Sequence, residues 1–374
     1  MKHEPIQTQE QLGARIAEAR QAAGLTQAEL ASRVELDRTS LSRVETGNRR
    51  VDVVELAAIA RALGRPVESF LHLPSPAVVS QREASGSGEA QPRIDALAEE
   101  LASDVDLLLD LGVLKPPSRF KLQSAVTSLE HAEGAAQEVR RWLGCPTEPL
   151  LDLPALAERL ALVSVAVQLV GDVPDGLYIN RGQLGVAWLD GGQPAGRRRF
   201  TLAHELGHHL LEDEYRIDWQ VGEDETERIV NAFAIHLLLP RRGVQGRWRD
   251  LATLEQEARS RAISIAASYG ASWSATCAQL QRFELITGDE YAKLASEQPR
   301  RGEFVALGVT APVELAPPFV SSLLSSATVR AHRRGKLSAG RALELLRGTL
   351  QEEDLPIPEE APLDSFAQDL EPLD

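Results

Sequence analysis

The chain has 374 residues, 43% of them hydrophobic and 25% charged, ordinary values for a globular protein with room for two or three domains. Its net charge of −15 argues against coating nucleic acid indiscriminately, though it leaves room for a local DNA-reading surface. Two widely spaced cysteines (Cys145 and Cys277), an opening without a signal-peptide pattern and no apolar run long enough for a bilayer predict a soluble, cytoplasmic protein without membrane contact.

Residues 12–71 read as a set of short helices. Leu12, Ile16 and Ala19 recur at helical spacing, and Gly24 supplies a stop. Thr26-Gln-Ala-Glu29 is a capping box that opens a second helix over 27–34. Asp37 caps a third over 38–45, ended by Gly47-Asn48; a fourth runs over 53–63 to Gly64, and a fifth over 65–71. The second and third form a helix-turn-helix pair. Arg38, Thr39, Ser42 and Arg43 lie on the exposed face of the third helix, where they can contact base edges or phosphate. Gln27 is placed to bond phosphate or to brace that helix, and Arg49 and Arg50 suit the DNA backbone. Residues 1–75 hold ten Lys/Arg and ten Asp/Glu, so a protein–protein module with a solvated charged face is the alternative. Three stretches decide between them: Leu-Thr-Gln-Ala-Glu-Leu-Ala from Leu25, Thr-Ser-Leu-Ser-Arg-Val-Glu-Thr-Gly from Thr39, and Val-Val-Glu-Leu-Ala-Ala-Ile-Ala-Arg-Ala-Leu-Gly from Val53. Together they closely resemble the Cro/repressor-type (XRE) helix-turn-helix family over about sixty residues, which implies binding to double-stranded operator DNA.

Residues 74–92, rich in Pro, Ser and Gly, are expected to be a flexible linker. An apolar helix over 93–115 (Leu97, Leu101, Val105, Leu108, Leu109) and a second over about 120–142 follow; connector, dimerisation element and packing against the next domain all fit them. A short helix over 154–160 precedes an alternating strand over 163–170. Gly-Leu-Tyr178-Ile and Gln183-Leu-Gly-Val-Ala-Trp188 are two more strands, joined across Asn180-Arg-Gly182. The expectation is a small antiparallel sheet whose edge strand can hold a substrate peptide in extended form.

Thr201-Leu-Ala-His204-Glu205-Leu-Gly-His208 places a His-Glu-x-x-His pattern in an apolar helical frame. Residues four apart share one helix face, so His204 and His208 can present two imidazoles to one metal ion. Glu205 can then reach water at that ion and act as general base. A catalytic zinc site needs a third protein ligand. The next helix offers Glu227, with Asn231 one turn on to steady a ligand histidine; Glu223, Asp224 and Glu225 compete from the loop or its border, where geometry is harder to fix. Glu227 is the choice.

The frame Phe200-Thr-Leu-Ala-His-Glu-Leu-Gly-His-His-Leu-Leu, with Glu227-x-x-x-Asn231-x-Phe-Ala, Leu-Leu-Leu-Pro240 and the earlier Pro-Asp-Gly-Leu-Tyr-Ile, resembles the ImmA/IrrE family of zinc-dependent endopeptidases over roughly residues 133–290. The resemblance implies zinc on His204, His208 and Glu227, Glu205 as base, and a repressor-type regulator as protein substrate. Val230 departs from it, since the family usually has a small residue before the Asn; a slight shift in helix packing is expected. Tyr178 and Tyr215 are the tyrosines considered as oxyanion donors, with structural roles favoured for both.

The other histidines have plainer readings. His209 packs or caps, His236 is packed or hydrogen-bonded, and His72, His131 and His332 lie at the surface. Arg197-Arg-Arg199 reads as a solvated loop rather than a steering patch. Helices follow over 251–268, 272–283 and 288–294, then an amphipathic unit over 328–350; residues 351–374, with nine acidic residues and four prolines, are expected to be a disordered tail.

The expected fold is α+β and mostly helical: a five-helix helix-turn-helix domain, a zincin-like metallopeptidase with a small antiparallel sheet, then C-terminal helices. The domains run 1–73 (helix-turn-helix), 74–92 (linker), 93–132 (helical connector), 133–295 (peptidase), 296–350 (helical extension) and 351–374 (tail). A homodimer is compatible with this layout. The expected function is a cytoplasmic zinc endopeptidase coupled to DNA binding, cleaving a repressor to control stress or mobile-element genes. The alternatives are a regulator whose peptidase-like domain senses metal or ligand without proteolysis, and an antitoxin-like binding module.

Overall fold

Side-chain caps set the first helices. Thr8 accepts from the Gln11 N–H (3.2 Å) and starts α1 (Gln9–Ala22); Thr26 accepts from the Glu29 N–H (3.2 Å) and starts α2 (Gln27–Arg33). Asp37 accepts from the Ser40 N–H (2.8 Å) at the head of α3 (Arg38–Glu45), and Asp52 from the Glu55 N–H (2.8 Å) at the head of α4 (Val53–Leu63). The molecule is known here from a computed structural model, which describes residues 6–63, 67–71, 79–81, 91–118, 120–168, 174–215, 223–254 and 256–359. His72, most of the expected linker and residues 360–374 of the expected tail lie outside the described residues.

The chain forms two units. The first contains α1 to α4, a 3-10 turn over Val67–Phe70 and α5 (Gln91–Asp110). Leu12, Ile16, Ala19, Val44, Leu56, Ile59 and Phe70 form its core, and Leu30, Ala31 and Leu41 a second, smaller cluster. The fifth helix expected over 65–71 is thus a single 3-10 turn among the described residues. The helix expected over 93–115 ends at Asp110, and it packs on α1: buried Arg15 donates to both carboxylate oxygens of Glu99 (2.9 and 2.8 Å).

The second unit begins with α6 (Leu129–Leu143) and α7 (Leu153–Arg159). Its sheet has the order β1-β3-β4-β2-β5, from β1 (Val79–Gln81), β2 (Leu162–Val167), β3 (Gly176–Arg181), β4 (Leu184–Asp190) and β5 (Phe319–Val320). The sheet is mixed, not antiparallel as expected. β3 and β4 form the anticipated hairpin, but β2 runs parallel to β4, with Val165 opposite Trp188. β2 and β4 are buried almost without interruption, the pattern of central strands covered on both faces. The outermost strands are β1 and β5, so the sheet does not end on β3 or β2.

Helices α8 (Ala195–Tyr215) and α9 (Glu223–Leu238) follow the sheet. Next come α10 (Arg241–Ala252), α11 (Ala258–Tyr269), α12 (Trp273–Arg282), α13 (Gly288–Ala295) and α14 (Arg301–Ala306), with a second core around Trp248, Ile263, Trp273 and Leu280. The chain closes with α15 (Ser322–Arg333), α16 (Ala339–Leu346) and a 3-10 turn over Glu352–Asp354. Two boundaries differ from expectation. The helix expected from 120 begins at Leu129 because Ser128 caps it, leaving Phe120 and Leu122 packed on the core from the irregular chain ahead of it. The helix expected over 251–268 is interrupted after Ala252, and a new one starts at Ala258. His332, expected at the surface, is buried and donates from Nδ1 to Leu337 O (3.1 Å). Part of the expected tail is tied down, since Glu359 pairs with Arg333 at 2.9 Å. Among the described residues no helix is long and apolar enough to cross a membrane.

The arginine run expected in a solvated loop is instead the first turn of α8, where it anchors that helix. Arg197 pairs with Asp175 (2.7 Å), and buried Arg198 donates to Gly191 O (3.2 Å) and Glu314 O (3.2 Å). Arg199, fully buried, pairs with the Glu314 carboxylate and donates to Leu150 O (2.7 Å). Glu314 also accepts from the N–H groups of Asp152 (2.9 Å) and Leu153 (3.1 Å) at the head of α7. Removing one partner of a buried pair leaves an uncompensated charge. Glu314→Ala is therefore expected to cost about 3–5 kcal/mol in urea unfolding, and Arg199→Met/Glu314→Met to recover the part due to the unpaired charge; equal losses in the single and double variants would contradict this.

On α9, His236 is buried with its Nε2 3.7 Å from Glu133 of α6, whose carboxylate is bridged by Arg241 (2.9 and 3.1 Å). The hydrogen bond from Arg241 holds Glu133 below its usual range, and burial pushes His236 down to about 4. The unfolded chain binds this proton near pH 6.5 and the folded chain only near 4, so the histidine's contribution is complete above 6.5 and lost as pH falls toward 4. Urea unfolding of the wild type and of His236→Leu should run in parallel above pH 6.5, with the wild type losing stability relative to the variant below it. Parallel curves down to pH 4 would contradict the assignment.

Candidate functional site

Helices α8 and α9 cross where α8 has a glycine. A β-carbon on Gly207 would lie 2.8 Å from Val230 Cγ1 and 3.2 Å from Phe233 Cδ1, so a side chain there would drive the helices apart. Val230, the residue expected to disturb this packing, is accommodated by Gly207 and fully buried.

The crossing brings three of the anticipated residues together. One donor atom from each of His204, His208 and Glu227 lies within 4.8 Å of the others. His204 Nε2 and His208 Nε2 are 3.0 Å apart, and the Glu227 carboxylate oxygens lie 3.4 Å from the first and 3.2 Å from the second. Ligand atoms about 2.0 Å from a tetrahedral zinc ion are separated by about 3.3 Å, so these spacings and this nitrogen and oxygen donor set fit zinc. His204 Nδ1–H donates to Asn231 Oδ1 (3.1 Å), which leaves its Nε2 lone pair facing the other donors. Both histidines are buried, while Glu227 is half-buried. Of the competing acids, Glu225 is exposed; the side chains of Glu223, Asp224 and Tyr215 lie outside the described residues.

Glu205 is fully buried beside the first histidine. His209 takes no part in the cluster: its Nε2–H donates to Leu160 O (3.0 Å) and its Nδ1 accepts from the Tyr178 hydroxyl (3.0 Å). Tyr178 therefore braces α8, and its ring also stacks on His208 at 6.4 Å between centroids. Of the other anticipated histidines, His131 is exposed and contacts Thr127 Oγ1 (3.1 Å). The anchor of Arg199 on Glu314 escaped sequence reasoning, because 115 residues separate the partners and neither stands in a motif.

In the first unit, α2 and α3 are locked by one buried carboxylate. Glu45 accepts from Arg20 Nε (2.6 Å) and from Gln27 Nε2 (2.7 Å). Gln27 is thus engaged as a brace for α3. Arg38, Thr39, Arg43 and Arg50 are exposed and Ser42 half-buried, so these side chains share an accessible helix face and its following loop. Arg49 is held by Glu55 (2.6 and 3.2 Å).

Comparison with known proteins separates the same two regions. Residues 11–73 match the family model described as a helix-turn-helix domain. Residues 176–281 match the IrrE N-terminal-like domain of peptidase family M78. No curated protein matches the chain significantly. Two solved structures align over most of it. PlcR of Bacillus thuringiensis, in complex with the peptide PapR7 and DNA, is 12% identical over 90% of this chain and 93% of that chain, with a TM-score of 0.17. ComR from Streptococcus suis is 10% identical over 93% and 95%, again with a TM-score of 0.17. At that score neither supports an argument. The chain carries an XRE-type helix-turn-helix domain followed by a domain with the IrrE-like metallopeptidase fold.

Proposed function

We propose that the chain is a cytoplasmic zinc-dependent endopeptidase coupled to sequence-specific operator binding, with a transcriptional repressor as its substrate. The convergence of His204, His208 and Glu227, with buried Glu205 next to the first histidine, is the observation that carries this reading. The chemistry zinc supplies when bound is Lewis acidity, which polarises a carbonyl and brings a water's pKa to roughly 7. His204 and His208 would hold the ion through Nε2, and Glu227 through its carboxylate. Asn231 fixes the tautomer of His204 by accepting from Nδ1–H. The Glu205 carboxylate takes the proton of the attacking water and returns it to the leaving amine nitrogen. A domain kept only to sense metal would need the three ligands and have no use for Glu205. That distinction favours hydrolysis over the sensory reading.

On the DNA side, Arg38, Thr39, Ser42 and Arg43 would read base edges and phosphates, with Arg50 on the backbone. Gln27 and Arg49 act on the surface indirectly, through Glu45 and Glu55. Coupling the two activities would place the peptidase where repressors act, controlling stress or mobile-element genes.

Two experiments check the halves separately. Glu205→Gln should bind zinc to the wild-type stoichiometry by metal analysis yet leave a co-expressed repressor intact; cleavage equal to that of the wild type would discard the mechanism. Arg43→Ala should weaken binding to the chain's own promoter region by roughly 1–3 kcal/mol in a low-salt mobility-shift titration. A wild type with no affinity for that DNA at low salt would reassign α3 to protein contact.

A further inference from the structure

The Glu205 carboxylate stands fully buried on α8, against the sheet. Thr201, Glu205 and His209 follow one another at intervals of four along α8, forming a ridge beside the face that carries His204 and His208. All three are essentially fully buried. The β3–β4 hairpin meets this ridge with two glycines. A β-carbon on Gly176, the first residue of β3, would collide with Thr201 Cγ2 and lie 2.5 Å from Glu205 Oε1. A β-carbon on Gly185 of β4 would lie 2.6 Å from His209 Nδ1 and 2.8 Å from Tyr178 Cε2. Neither glycine has a left-handed backbone, so what these positions require is space and not conformational freedom.

We propose that Gly176 is a positioning residue for Glu205. Its bare backbone is the wall against which the Glu205 carboxylate rests, and it sets the depth at which that carboxylate stands relative to His204 and His208. Gly185 is the equivalent notch for His209, which takes no part in the cluster. The proposal rests on the reading of Glu205 as general base, since only then does its depth govern the rate. A displacement of about 1 Å in a catalytic group costs on the order of a hundredfold in rate.

The test uses the full chain loaded with zinc and a quenched-fluorescent decapeptide library, with Gly176→Ala, Gly176→Ala/Thr201→Ser and Gly185→Ala. Serine lacks the Cγ2 methyl, so the double variant relieves the clash with position 201 and keeps the one with Glu205. The expected result for Gly176→Ala is full zinc occupancy, KM within about twofold and kcat lowered about a hundredfold. Adding Thr201→Ser should restore the melting temperature without restoring kcat. Gly185→Ala should lower the melting temperature and leave kcat per bound zinc unchanged. A crystal structure of the zinc-loaded Gly176→Ala variant should show Glu205 displaced and the donor atoms of His204, His208 and Glu227 in place. The proposal is overturned if Glu205 has not moved in that structure, or if Thr201→Ser restores kcat together with stability. A wild type that cleaves no member of the library would count against hydrolysis itself, while the crystal structure would still decide the positioning.

Discussion

The close approach of α8 and α9 at Gly207 is the constraint on which the candidate centre depends. Two histidines a turn apart on one helix make only half a site. The third donor comes from a helix that must pass near enough for a glutamate to reach both imidazoles, and Gly207 under Val230 and Phe233 allows that approach. The same crossing brings Asn231, one turn beyond Glu227, to His204 Nδ1. Further ties hold α9 in place from behind. Arg140 of α6, fully buried, donates to Leu237 O at the end of α9 and to Glu148 O, and burial lowers its pKa to about 10. A guanidinium whose partners there are carbonyl oxygens is costly to bury, so it contributes a fixed geometry more clearly than net stability.

A second set of constraints comes from chain beyond the matched peptidase region. That match ends at residue 281, yet Glu314 grips Arg199 at the head of α8 and β5 covers the edge of β2. Gly270 packs between Arg199 and Pro312, where a β-carbon would lie 2.6 Å from Arg199 Nε and 2.7 Å from Pro312 Cγ. The helix that carries both histidines is thus anchored by three segments far apart in sequence, around 150, 270 and 314. Fixing the first turn of α8 fixes the register of His204, five residues on, so the C-terminal segment is part of the centre's support and not an appendage.

Local chemistry was readable in the sequence where one element suffices. The capping residues Thr26 and Asp37, the periodic faces of α3 and α4, the β3–β4 turn and the histidine spacing are all properties of short windows. Glu227 and Asn231 were legible because their spacing repeats the logic of the histidine pair. What remained hidden depends on partners distant in the chain. Arg198 and Arg199 look solvated until Glu314 and the carbonyls of 150 and 191 surround them. His332 looks like a surface residue until Leu337 O turns back to meet it. The parallel pairing of β2 with β4 could not be read from a hairpin signal, which specifies only its own two strands. Gly176 likewise reads only as the first residue of a strand, and the depth of α8 against β3 gives it a role.

The reading of His204, His208 and Glu227 as one zinc site in the folded chain has a direct spectroscopic test. That test is X-ray absorption at the zinc edge, on full-length protein loaded to equivalence. The expected result is one tightly held zinc per chain in a four-coordinate shell of nitrogen and oxygen at about 2.0–2.1 Å, with the outer-shell scattering of two imidazoles. A sulfur shell at about 2.3 Å, or zinc removed by simple gel filtration, would contradict it.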